Sequence, residues 1–134
     1  MFLDRLNEKQ QRIFFQAAQL LVGSDGKYDR REAHHLESIK AELTLGETPL
    51  AANSVEEIVS ELGAFDRPLV RNILVFELVG IAMADATVQD AEAAVLTVIC
   101  AALGVPEGRI ELYRDFAVRM RELRDEAFVI ITAE

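Results

Sequence analysis

The chain repeats itself at an interval of sixty residues. Residues 25–43 (DGKYDRREAHHLESIKAEL), laid on 85–103 (DATVQDAEAAVLTVICAAL), agree at seven of nineteen positions: Asp25/Asp85, Glu32/Glu92, Ala33/Ala93, Leu36/Leu96, Ile39/Ile99, Ala41/Ala101 and Leu43/Leu103. Each copy follows an apolar stretch with helical spacing, so the repeating unit is a helix, an acidic turn and a second helix. A self-similar unit constrains architecture more than any single motif, because each copy must bury its apolar face against its neighbours. The expected fold is all-α, a single domain over residues 1–134 with six to seven helices. Two helix–acidic turn–helix pairs, residues 5–45 and 65–105, would be related by a pseudo-twofold.

Local signals place the helices. Leu6, Ile13, Phe14, Ala17 and Leu21 share one face of a helix over 5–22, with Glu8, Lys9, Gln11 and Arg12 turned away from it. Gly23-Ser24-Asp25-Gly26 ends it, and Asp29 with Glu32 forms a capping box for the next, whose stripe is Ala33, Leu36, Ile39 and Leu43. Ser54 and Glu57 cap a short third helix that Gly63 stops, and Asp66 caps a fourth, with Pro68 tolerated in its first turn. The fourth (67–84) and fifth (89–103) are apolar nearly all round, which predicts that the second helix pair is the buried centre and the first is more exposed. Pro106 opens a sixth helix with a stripe of Ile110, Tyr113, Phe116, Ala117, Met120 and Leu123. The tail must bury Phe128, Val129, Ile130 and Ile131 against the domain or a second subunit.

Charge and cysteine content narrow the function. With 14 Lys and Arg against 23 Asp and Glu, the net charge is −9, and such a surface repels phosphate backbones and anionic lipid heads. Nucleic acid and membrane insertion are therefore not expected, whereas cations and basic protein surfaces fit. The single Cys100 cannot form an intramolecular disulfide, and MFLDRLNEKQ carries no apolar leader, so a cytoplasmic location is expected.

The two acidic turns resemble the signature of the TerB-like family, named for a bacterial tellurite-resistance protein, in which Asp-Gly-x-x-x-x-x-Glu joins two helices and occurs twice. The first copy here is Asp25-Gly26-Lys27-Tyr28-Asp29-Arg30-Arg31-Glu32, and the second is Asp85-Ala86-Thr87-Val88-Gln89-Asp90-Ala91-Glu92. The resemblance implies a non-catalytic helical module of tellurite and other stress responses, with divalent-cation binding at Asp25, Asp29 and Glu32. Ala86 in place of Gly and Gln89 in place of Asp make Asp85 and Glu92 the weaker ligand set.

On the residues alone, other readings stand beside that one. Setting Gly26 at position six of an EF-hand loop puts Asp25, Asp29 and Glu32 at positions five, nine and twelve, but Leu21 and Gly23 then occupy positions one and three without a side-chain oxygen. A standard EF-hand is excluded; a site completed by carbonyls or water is not. The same carboxylates also serve as turn and cap residues that the helix dipole stabilises without metal. His34 and His35 point about 100° apart on a helix and cannot share an ion in the usual way. Glu77, a lone carboxylate in an apolar helix, calls for a partner such as an Arg, or marks a functional spot. Cys100, in apolar surroundings, is expected to be inert. No nucleophile–base pair, phosphate loop or zinc spacing stands out, so no enzyme activity and no certain cofactor is expected. Two functions remain: a TerB-like stress-response module holding a divalent cation, or a structural interaction domain, self-associating or adaptor, without metal.

Overall fold

The computed structural model describes residues 1–23, 30–43, 54–83 and 90–133, with all their side chains except those of 30–33, 35 and 90–92. Among the described residues six α-helices follow one another: α1 (Glu8–Val22), α2 (Arg30–Glu42), α3 (Val55–Glu61), α4 (Pro68–Ala82), α5 (Asp90–Leu103) and α6 (Glu107–Thr132). Two 3-10 turns, Leu3–Arg5 and Leu62–Ala64, precede α1 and α4, and no strand occurs among the described residues. The fold is all-α, as the periodicity predicts.

Side-chain chemistry explains where the helices begin. Asn7 accepts the Gln10 amide at 2.8 Å while the Gln10 side chain accepts the Asn7 amide at 2.9 Å, a reciprocal cap that starts α1 at Glu8 and leaves the preceding residues to the 3-10 turn. Ser54 accepts the Glu57 amide at the start of α3. The cap position of α4 is Arg67, one residue beyond the expected Asp66. Pro68 takes the first helical position, where its missing N–H removes no bond. Gly104, at φ 71°, turns the chain out of α5, and the Val105 amide closes the end on the Cys100 carbonyl at 3.0 Å.

α1 and α4 form the centre. α1 packs on α2, α3, α4 and α5, while α4 carries α5 on one side and α6 on another. Their bounds differ by sixty residues at both ends, Glu8 to Pro68 and Val22 to Ala82, and α2 and α5 begin at Arg30 and Asp90. Burial keeps the same interval: Ile13, Phe14, Phe15, Ala18, Leu21, Leu36 and Ile39 are buried, and so are Ile73, Leu74, Val75, Leu78, Ile81, Leu96 and Ile99.

Two expectations about burial need correction. α1 is as deeply buried as α4, with Phe14, Ala17 and Ala18 at zero exposure, so the first pair is not a peripheral one. α5 in turn exposes Ala94, Thr97, Val98, Ala101 and Ala102. Alanines cost little on a surface, so an apolar composition does not require an interior helix there. Gln11 is also buried, where the spacing put it on the outer face. Its amide donates to the Leu3 and Leu6 carbonyls at 3.3 and 3.0 Å, and this pins the N-terminal turn onto α1.

Candidate functional site

Asp25, Asp29 and Asp85 lie outside the described residues, as does Gln89, the counterpart of Asp29 in the second turn. Glu32 and Glu92 are the third residues of α2 and α5, but their side chains, like that of His35, also lie outside the described set. His34 stands exposed on α2. Among the described residues, no group of three or more His, Cys, Asp or Glu side chains gathers closely enough to hold a metal ion.

Among the described residues, the partner of Glu77 is the start of the chain and not an arginine. Its carboxylate accepts the Phe2 amide at 2.7 Å and lies 2.9 Å from the Met1 ammonium, which also reaches Glu42 on α2 at 3.1 Å. Burial alone would lower the pKa of that ammonium. The hydrogen bonds and negative charges of Glu77 and Glu42 outweigh it and raise the amine above its ordinary value. The sequence pattern flagged the carboxylate correctly, but a chain terminus leaves no signature in a scan for basic side chains.

Cys100 is buried in α5. Burial pushes its thiol up, against the opposing charge of Arg114 from α6, so it stays protonated and unreactive at neutral pH. Cys100 is therefore a packing residue.

What remains is α6. Its 26 residues make a rod of roughly 39 Å at 1.5 Å per residue, and none of them is fully buried. Phe76 of α4 anchors its first half, with the rings of Tyr113 and Phe116 at 5.5 and 5.6 Å. Arg121 is the last partly buried residue, its guanidinium 3.5 Å from the Met83 carbonyl; every residue from 122 to 133 is exposed. The helix thus continues past the body, and Phe128, Val129, Ile130 and Ile131, at 66, 66, 68 and 77% exposure, are covered by none of the described residues. Of the two covers expected for them, the domain and a second subunit, the described residues of the domain supply none, because α6 outruns its support on α4.

Sequence reasoning stopped the α6 stripe at Leu123. The alternating spacing of three and four continues through Ala127 to Ile130, and that small alanine hid the continuity. A second apolar surface is shallow: a groove of about 480 Å³ between α3 and α5, lined by Val55, Val59, Ala94, Val95 and Val98, with Glu56 and Ser60 at its rim. Neither surface carries a nucleophile–base arrangement. Both suit apolar contact with another polypeptide.

Among the described residues, no helix is long and apolar enough to cross a membrane, α6 included. Compared with known proteins, the chain matches no family model, no curated protein and no solved structure.

Proposed function

We propose that this protein is a non-catalytic interaction module that binds another polypeptide through the free half of α6. The carrying observation is the exposure of Leu123, Ile130 and Ile131, which share one side of a helix that leaves the body at Arg121. Contiguous apolar surface of this extent is uncommon on a monomer that works alone. The local sequence points the same way: Val129-Ile130-Ile131-Thr132 is β-branched throughout, with poor helix propensity, and a projecting helix of such residues gains most of its stability from packing. A photo-cross-linking residue at 123 or 130, used in cells, tests the reading. Covalent adducts are expected from both positions and not from 122 or 125 on the polar side; no adduct from 123 or 130 contradicts it.

A second reading keeps the resemblance to the TerB-like family. It holds that the helix pairs 5–45 and 65–105 are pseudo-twofold copies and that Asp25, Asp29 and Glu32 bind a divalent cation, with Asp85 and Glu92 as a weaker counterpart. Its support is the sixty-residue interval that the helix bounds and buried positions share. Three carboxylates near one helix start repel one another, and a cation relieves that repulsion. Calorimetric titration with Ca²⁺, Mg²⁺ or Zn²⁺ should then show binding that Asp25→Asn with Glu32→Gln abolishes while the fold survives. Binding unchanged in that double variant, or none in the parent, would leave the carboxylates as caps. The stress-response role in a cytoplasmic assembly belongs to this same reading.

A further inference from the structure

The outward row of α6 is a heptad seam. Tyr113, Met120 and Ala127 occupy one core position and Phe116, Leu123 and Ile130 the other, separated alternately by three and four residues over two and a half heptads. A row at this spacing stays on one side of a helix only when a second helix follows it. The face of α6 that meets the body is a different row, centred on Ile110, Arg114, Ala117 and Arg121, about 110° around the helix. Tyr113 and Phe116, at the start of the seam, lean on Phe76 of α4, and from Met120 onward the seam is left free by the described residues of a single chain.

We propose that a second copy of this chain covers it, the two α6 helices pairing antiparallel about a twofold axis with Met120 of each opposite Leu123 of the other. This pairing rests on the reading of α6 as a contact surface and names its occupant. In this register Tyr113 meets Ile130 of the second copy and Phe116 meets Ala127. The one small residue of the seam thus faces an aromatic ring. A symmetric interface repeats each contact, so all six positions are filled without a gap.

The flanking charges choose the orientation. Arg119 lies beside the seam on one edge and Glu126 two turns further along the same edge; antiparallel pairing sets each Arg119 against Glu126 of the second copy, twice per dimer. On the other edge Arg124 and Ile131 run past Ala117 and Ile110, which lean on the body, so no like charges face each other there. A parallel pair would instead put Arg119 against Arg124 and leave Ala127 facing Ala127 across a void. Inside the chain Arg119 lies over the Phe116 ring at 5.7 Å, and among the described residues no ion pair engages Arg119, Arg124 or Glu126.

The area suffices. Leu112, Phe116, Met120, Leu123, Ile130 and Ile131 are 65, 38, 38, 64, 68 and 77% exposed. At roughly 200 Å² for a large apolar residue, they offer about 700 Å² per chain, close to the half-interface of about 800 Å² typical of stable complexes. Phe128 adds to this, because it extends the body-facing row beyond α4 to where the second copy's body would stand.

Light scattering on the purified chain, with dilution series to obtain Kd, tests the proposal. The parent should have twice the 14.9 kDa mass of one chain. Leu123→Glu, at an exposed position, should leave the helical spectrum intact and weaken the dimer by a factor of a hundred or more, on the order expected for burying an unpaired charge. Arg119→Glu and Glu126→Arg should each weaken it roughly tenfold, and the double exchange should restore it, since seven residues separate the two within one helix and only the second copy brings them together. A monomeric parent at high concentration, or a dimer indifferent to Leu123→Glu, overturns the proposal; a double exchange that fails to restore affinity overturns the antiparallel register. A monomeric parent whose photo-cross-links at 123 lead to a different protein would end self-pairing and leave the interaction module standing, whereas absence of any adduct would end both.

Discussion

The carboxylate of Glu77 accepts the backbone N–H of Phe2 at 2.7 Å, joining the middle of α4 to the start of the chain across 75 positions. The Met1 ammonium adds a 2.9 Å ion pair to the same oxygen, and the Phe2 ring meets Phe76 edge-on at 5.6 Å. Phe76 in turn supports Tyr113 and Phe116 of α6. One turn of α4 thereby fixes the N-terminal segment and the root of the projecting helix together.

This clamp should weaken at alkaline pH. The amine is raised in the folded chain above its ordinary 8.0, so the stabilisation it contributes is complete below that value and is lost as pH rises through the folded value. Because the ammonium is more than half exposed, its effect is small. Glu77→Gln should cost at most about 1 kcal/mol near neutrality, and the difference in Tm between parent and variant should narrow from about pH 7 to pH 10. A difference that is constant or widens over that range would contradict the pairing.

The core makes a sharper demand. Leu74 and Ile99 are 0 and 1% exposed, on α4 and α5. Truncating either to Ala should cost about 2 to 5 kcal/mol, since a cavity adds to the lost transfer free energy. Val98→Ala, on the exposed side of α5, should stay within about 1 kcal/mol. Denaturant melts that fail to separate Ile99 from Val98 would mean that the exposed face of α5 is covered in solution.

Cys100 offers a probe of opening. As a buried thiol whose pKa is raised by burial, it should resist alkylation in the native chain and react at a rate set by unfolding. Leu74→Ala should accelerate that labelling. Rapid reaction of the parent with a thiol reagent at neutral pH would place the sulfur at the surface and contradict the packing of α5.

Helix identity was legible in the sequence because periodicity and caps speak locally: Ser54, Pro68 and Gly104 each act within a few residues of themselves, whereas the Asn7–Gln10 cap starts α1 at Glu8, three residues later than the periodicity alone places it. Burial depth was less legible. An apolar composition marks α4 as central, but it marks α5 equally, and only packing tells that Ala94, Ala101 and Ala102 face outward. The partners of Gln11 and Glu77 were hidden for a different reason, since backbone carbonyls and a chain terminus leave no residue type to search for. For α6 the apolar tail was visible in the sequence, but its exposure depends on where α4 ends.

The most direct measurement of the central claim is amide hydrogen exchange along residues 122–132 at a series of protein concentrations. If a second copy covers the free half of α6, these amides should exchange near the unprotected rate in dilute protein and gain protection as concentration rises through the dimer Kd, while amides of α1 and α4 change little. Leu123→Glu should abolish the concentration dependence. Exchange in this segment that is equally fast, or equally slow, at every concentration would contradict the account.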